Sequence, residues 1–214
     1  MTREEQRLLR ETEKQLRNSC KELGRRRGWK TIAGTQYQVR GEILYELMVF
    51  LRDRAGGGMD LMSWCSCKPL ALDDIFWKVF HMEEIAASQP FSFHVRGAFT
   101  ARSLALDKRR EPLSGPEALE EMTEALFDRA EALAAENPFP DLAAFRARLE
   151  AEERPQVLGI ILCLLGEGNY SRAMELIEEN LARGERGGFS REGGRRSVLE
   201  DARDYCAARL AETV

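Results

Sequence analysis

Two cysteines one residue apart, Cys65 and Cys67, are the first residues whose spacing suggests chemistry. Residues i and i+2 of a strand share a face, so both thiols point the same way. With His81 or His94, the chain's two histidines, they would supply soft and borderline ligands of the kind zinc takes. C-x-C is not the C-x-x-C knuckle of structural zinc sites, and small thiols on an apolar strand are ordinary core residues. The chain is therefore read as free of metal and cofactor. Asp73 and Asp74 offer an adjacent carboxylate pair for acid–base work. Adjacent side chains diverge on a helix, and acids in a first turn offset the positive end of its dipole, so capping accounts for both. Lys68, His94 and Arg96 are expected on the polar side of one sheet, a cationic and imidazole cluster suited to an anion or an acidic protein surface. With Trp64 and Trp77 they make up the candidate binding set; no residue is assigned a catalytic role.

Three further stretches give weaker signals. Gly193-Gly194-Arg195-Arg196-Ser197 precedes a helix, whose free N–H groups could meet a phosphate, but no strand stands before it and no P-loop lysine follows. Arg25-Arg26-Arg27 and Lys108-Arg109-Arg110 could touch a nucleic-acid backbone. Neither run comes with a stacking platform, and the chain is acidic at −4, so no nucleic-acid partner is expected.

The elements that must hold these residues follow from periodicity. From Ile43 to Arg52, Ile43, Tyr45, Leu47, Val49 and Leu51 alternate onto one face, and Leu44, Met48 and Phe50 make the other nearly as apolar. Such a strand belongs in the middle of a sheet. After the Gly56-Gly57-Gly58 turn a second strand runs from Met59 to Lys68 and stops at Pro69. Ile75, Phe76, Val79 and Phe80 then mark a short amphipathic helix that caps the hairpin. Upstream, residues 2–23 form a helix with Thr2 as its cap, and Thr35 to Arg40 reads as an edge-like strand. Residues 81–90 are a mixed connection, Phe91 to Thr100 alternates like a half-buried strand, and the polar run Ala105 to Leu113 is where sheet gives way to helix. Beyond it Ser114 to Glu117 reads as a capping box and Asp141 as a cap. Val157 to Leu165, Ser171 to Arg183 and Ser197 to Glu212 are helices, with a mobile loop over residues 184–196. The expected fold is α+β: an N-terminal helix on an antiparallel sheet of four or five strands, then an all-helical C-terminal region. The domains are drawn at 1–110 and 111–214.

Composition sets the class. A chain of 214 residues, 43% hydrophobic and 32% charged, can bury a core. No apolar run approaches the roughly 18 residues that span a bilayer, and five scattered cysteines are not a secreted disulfide framework. A cytoplasmic protein with free thiols and no membrane contact is expected. Residues 1–110 carry about 20 basic and 14 acidic side chains and the remainder about 12 and 22, so the halves differ in sign.

Gly168-Asn169-Tyr170 followed by Ala173 and Ile177, after the apolar helix, resembles the turn and second helix of a tetratricopeptide repeat over residues 157–183. It departs from that pattern at Ile161, Asn180 and Glu185, so a single helix pair rather than an array is implied. The N-terminal helix, the strands and the stretch from Cys67 to Phe80 (CKPLALDDIFWKVF) resemble small bacterial α+β domains of unknown function over about residues 5–100. That group supplies no catalytic residue. The resulting expectation is a non-enzymatic module of regulatory or immunity type whose partner is another protein. Its alternative is a small-molecule-binding domain, or an unrecognised enzyme, with a pocket at the sheet edge.

Overall fold

The computed structural model describes residues 3–54, 57–88, 91–191 and 194–212. Thr2, Gly56, residues 89–90 of the expected connection and Gly193 lie outside the described residues. The chain packs as two compact units, Met1–Cys67 with Ser103–Pro138, and Lys68–Arg102 with Phe139–Val214. Counted by unit, the charge split between the chain's halves largely disappears, to about 17 basic against 18 acidic side chains in the first and 15 against 18 in the second.

The first unit starts with helix α1 (Arg3–Arg26). Strands β1 (Lys30–Ile32), β2 (Thr35–Arg40), β3 (Ile43–Asp53), β4 (Met59–Pro69) and β5 (Leu104–Leu113) form an antiparallel sheet in the order β1-β2-β3-β4-β5. β3, apolar on both faces, takes the centre as its composition requires. Helix α5 (Leu119–Glu136) completes the layer. Leu16 and Cys20 of α1, Leu51, Leu61 and Leu113 of the sheet, and Leu119 and Leu126 of α5 share one core.

Three expectations are corrected in this unit. β2 is not the edge, because Lys30–Ile32 pairs with it from Lys30↔Tyr37 to Ile32↔Thr35. The polar run 105–113 is not a connection but strand β5, paired with β4 from Met59↔Leu113 to Cys67↔Leu104 with a register shift between Cys65 and Ser66. Its charges do not disturb the ladder, which is made of backbone; on an edge strand they stay wet and discourage further pairing. Arg110 Nε donates to Asp60 Oδ2 at 2.6 Å, and Lys108 Nζ lies 5.6 Å from the Trp64 ring centroid. Finally, the expected capping box does not form: Pro116–Ala118 is a single 3₁₀ turn whose preceding residue, Gly115, has no side chain to cap it.

The second unit is helical. Its elements are α2 (Ala71–Val79), α3 (Glu83–Ser88), α4 (Ser92–Arg96), α6 (Leu142–Glu150), α7 (Val157–Gly166), α8 (Tyr170–Ala182) and α9 (Val198–Ala211). The sequence VLGIILCLLG is apolar all round, so α7 has no face to show water; residues 159–165 are buried, and α2, α6 and α8 pack around it. At Gly166 the neighbours pack closely, since a Cβ would stand 2.4 Å from Leu142 Cδ1 and 2.6 Å from Ile75 Cδ1 and would require those side-chain ends to move. Asp141 caps α6 through Ala144 N as expected, Asn169 caps α8, and Ser197 with Glu200 makes a reciprocal capping box on α9.

The stretch 184–196 is not a plain loop: β6 (Ser190–Arg191) pairs with β7 (Arg196–Ser197), and Phe189 packs on Phe76 and Phe99. Phe91 to Thr100 is not a strand either. Ser92–Arg96 turns into α4, because Phe91, Phe93 and His94 all find aromatic partners on one side rather than alternating. His94 and Arg96 are consequently helical residues, not members of a sheet face.

Helix ends in this unit share a device. α7 and α8 close in the left-handed conformation at Gly168 (φ 73) and Gly184 (φ 81), whose N–H groups reach back to Leu165 O and Leu181 O. α2 makes the same motif, His81 N to Lys78 O and Met82 N to Trp77 O, with a histidine at φ 55.

Candidate functional site

Lys68 is the penultimate residue of β4, and its side chain is buried. Asp73 lies in the first turn of α2, on the helix face that points inward, with no exposed surface. The two meet directly: Lys68 Nζ donates to Asp73 Oδ2 at 2.8 Å and Oδ1 at 3.0 Å, and to the carbonyl of Ala101 at 3.1 Å. Asp73 Oδ1 also accepts from Ala101 N at 2.7 Å, and Oδ2 from His94 Nδ1 at 2.8 Å. Asp73 therefore stands in the first turn, as expected from sequence, but does not cap the helix; it is an acceptor for three donors from outside it. Asp74, the next residue, is exposed as a helix start requires.

Aromatic rings surround the network. Trp77 Nε1 donates to Phe99 O at 2.8 Å, and the indole stacks on Phe93 and meets His94 at a centroid distance of 4.8 Å. Phe91 covers His94 from another side at 5.1 Å. The segment Phe91–Ala101 has little regular backbone pairing of its own, and these bonds to Asp73, Lys68 and Trp77 hold it in place. Of the expected binding set, then, Lys68, Trp77 and His94 are brought together, and Arg96 is exposed at the end of the same short helix as His94. Trp64 belongs to the first unit, where it packs edge-on against Phe50 at 5.4 Å and remains 39% exposed. An aspartate–histidine pair orients an imidazole as in a general base, but here Asp73 is equally engaged by Lys68 and Ala101.

The thiols are placed for packing. All five cysteines are buried and none is in a disulfide. Burial pushes the Cys20 and Cys163 thiols up to about 12, and Cys65 and Cys206 to about 11, with Asp107 adding to the effect at Cys65. Metal binding and nucleophilic attack both need the thiolate. Cys65 and Cys67 do share a face, but no group of three or more His, Cys, Asp or Glu is placed to hold a metal ion among the described residues. Members of both basic runs are likewise engaged: Arg27 binds Asp128 and Glu131 of α5, and Arg109 binds Asp107. No described helix is long and apolar enough to cross a membrane.

A second feature was not legible in the sequence. The second unit contains a cleft of about 660 Å³ at the start of α7, walled by Val157, Leu162 and Phe189 and edged by Arg102, Arg154 and Arg183. α7 has no acid in its first turn and no capping bond from Gln156, so its first N–H groups lie outside the helix's own ladder. The one available signal was Arg154-Pro155 ahead of an apolar run; Arg102 and Arg183 lie far away in sequence. Comparison of the chain with protein-family models, curated proteins and solved structures found no match.

Proposed function

We propose that the protein is a binding module, and that its second unit holds a small ligand in the cleft at the start of α7. One observation carries this: the cleft's volume, about 660 Å³, falls in the range of roughly 300–1,000 Å³ typical of small-molecule sites. Its apolar wall with a few polar groups at the rim is the usual composition of such sites. The Lys68–Asp73–His94 network supports binding over catalysis, because its charged atoms bond to one another and to Ala101.

The experiment is a small-molecule library screened by thermal shift on wild type and on Val157→Trp, a variant that fills the cleft from the first position of α7. Compounds at about 100 times their Kd should stabilise wild type by about 2.7 kcal/mol, a rise of several degrees in Tm, and should leave Val157→Trp unmoved. A screen with no hits, or hits that persist in Val157→Trp, would overturn the proposal. A second reading, a protein partner, is favoured by the exposure of Trp64 beside Phe50 on the sheet of the first unit. A co-purifying chain released by Trp64→Ala would put that reading first.

A further inference from the structure

We infer that the ligand of this cleft is a small organic anion, a carboxylate or phosphate headgroup on an apolar body. The inference rests on the cleft being a binding site and names what it takes. Arg102, Arg154 and Arg183 line one cavity, and none of the three has a carboxylate partner among the described residues. That is unusual for this unit, where acids outnumber bases by about 18 to 15. Most described arginines elsewhere in it are paired, among them Arg146 with Glu150 and Glu167, Arg172 with Glu175, and Arg196 with Asp201 and Asp204. The three at the cleft are exposed, and one acid, Glu185, is among the lining residues.

Like charges around one low-dielectric wall repel, and a bound anion relieves that repulsion. The guanidinium fork matches carboxylate and phosphate oxygens in pairs, so arginine selects these anions over a point charge such as chloride. The N–H groups at the start of α7 add donors of the same polarity at the same cleft. Val157, Leu162, Phe189 and Leu199 give the cleft its apolar wall, which favours a ligand whose body is apolar.

The test uses the full chain and isothermal titration with a matched series: hexanoate, hexyl phosphate, hexan-1-ol, hexylamine and inorganic phosphate. Hexanoate or hexyl phosphate should bind at least about tenfold more tightly than the alcohol or the amine, a difference of about 1.4 kcal/mol. The better of the two anions identifies the headgroup. The double variant Arg154→Ala with Arg183→Ala should lose about tenfold or more in anion affinity with the alcohol unaffected, and its exposed positions leave folding intact. Equal binding of alcohol, amine and anions, abolished by Val157→Trp, would keep the cleft as a binding site and overturn its anion selectivity. Inorganic phosphate binding as well as hexyl phosphate would overturn the apolar body. Absence of binding by every probe up to about 10 mM would overturn the organic-anion assignment, while hits from the wider library that Val157→Trp blocks would still uphold the cleft.

Discussion

Asp60 in the first unit and Asp73 in the second are both buried carboxylates, each facing two side chains that carry or can carry positive charge. At Asp60 the partners are Arg110 at 2.6 Å and Arg54 at 3.8 Å, and these arginines are 53% and 40% exposed. Water reaches the cationic ends, so only the carboxylate has left solvent. At Asp73 the partners are Lys68, 2% exposed, and His94, 17% exposed. There the ammonium has left water too, and the protein must supply what water no longer does: Ala101 contributes its N–H to the acid and its carbonyl to the lysine. The same residue type beside the same kind of partner is thus a surface tether in one unit and an internal clamp in the other, according to whether the cation is solvated.

The largest expected effect breaks that comparison directly. Asp73→Ala strands a buried ammonium and should cost about 3–5 kcal/mol of stability in urea unfolding, with a large part recovered when Lys68→Met is added. Asp60→Ala should cost only about 1 kcal/mol, because both arginines return to water. Equal losses at the two sites would show that solvation of the cation is not what separates them.

A second outcome concerns pH and bears on both units, since Cys20 and Cys65 belong to the first and Cys163 and Cys206 to the second. The unfolded thiols ionise near 9.0, whereas burial holds the folded ones at about 11 to 12. Above about pH 9 the unfolded state therefore binds fewer protons than the folded state, so stability falls as pH rises and is unaffected by these groups below that point. Urea midpoints measured from neutral pH to about pH 10.5 should show the decline. Fast labelling of one native thiol by Ellman's reagent would identify the unit that opens first.

The smallest effect is at the end of α2. His81 occupies the left-handed position that α7 and α8 give to Gly168 and Gly184, where a side chain is strained by roughly 1 kcal/mol. His81→Gly should raise stability by about 0.5–1 kcal/mol in a thermal melt; a loss instead would mean the histidine makes a compensating contact.

Much of the fold could be read from residue pattern, and the errors have separate physical causes. The alternation from Ile43 to Leu51 located the central strand, and the run Val157 to Leu165 located the innermost helix, because burial on every side leaves its mark on every residue. Leu104–Leu113 was misread because an edge strand is held by backbone bonds that its charged side chains do not report. Phe91 to Thr100 failed for the opposite reason: alternation was present, but the rings answer to Trp77 rather than to a sheet. Ser114 to Glu117 carried a capping pattern that a 3₁₀ turn pre-empted.

The candidate site divides in the same way. Lys68, Trp77 and His94 could be picked out by type, yet Asp73 was assigned to capping because its decisive partners stand 21 and 28 residues away, at His94 and Ala101. By itself the sequence determined the central strands, the N-terminal helix and the apolar helix, and that a sheet with an N-terminal helix precedes a helical region, since these depend on local periodicity, and local periodicity is printed in consecutive residues. Only the tertiary structure decided that Asp73 is a clamp and that Arg102, Arg154 and Arg183 edge one cleft, because whether a charge is solvated, and which other charges it faces, depends on segments that meet after the chain has folded.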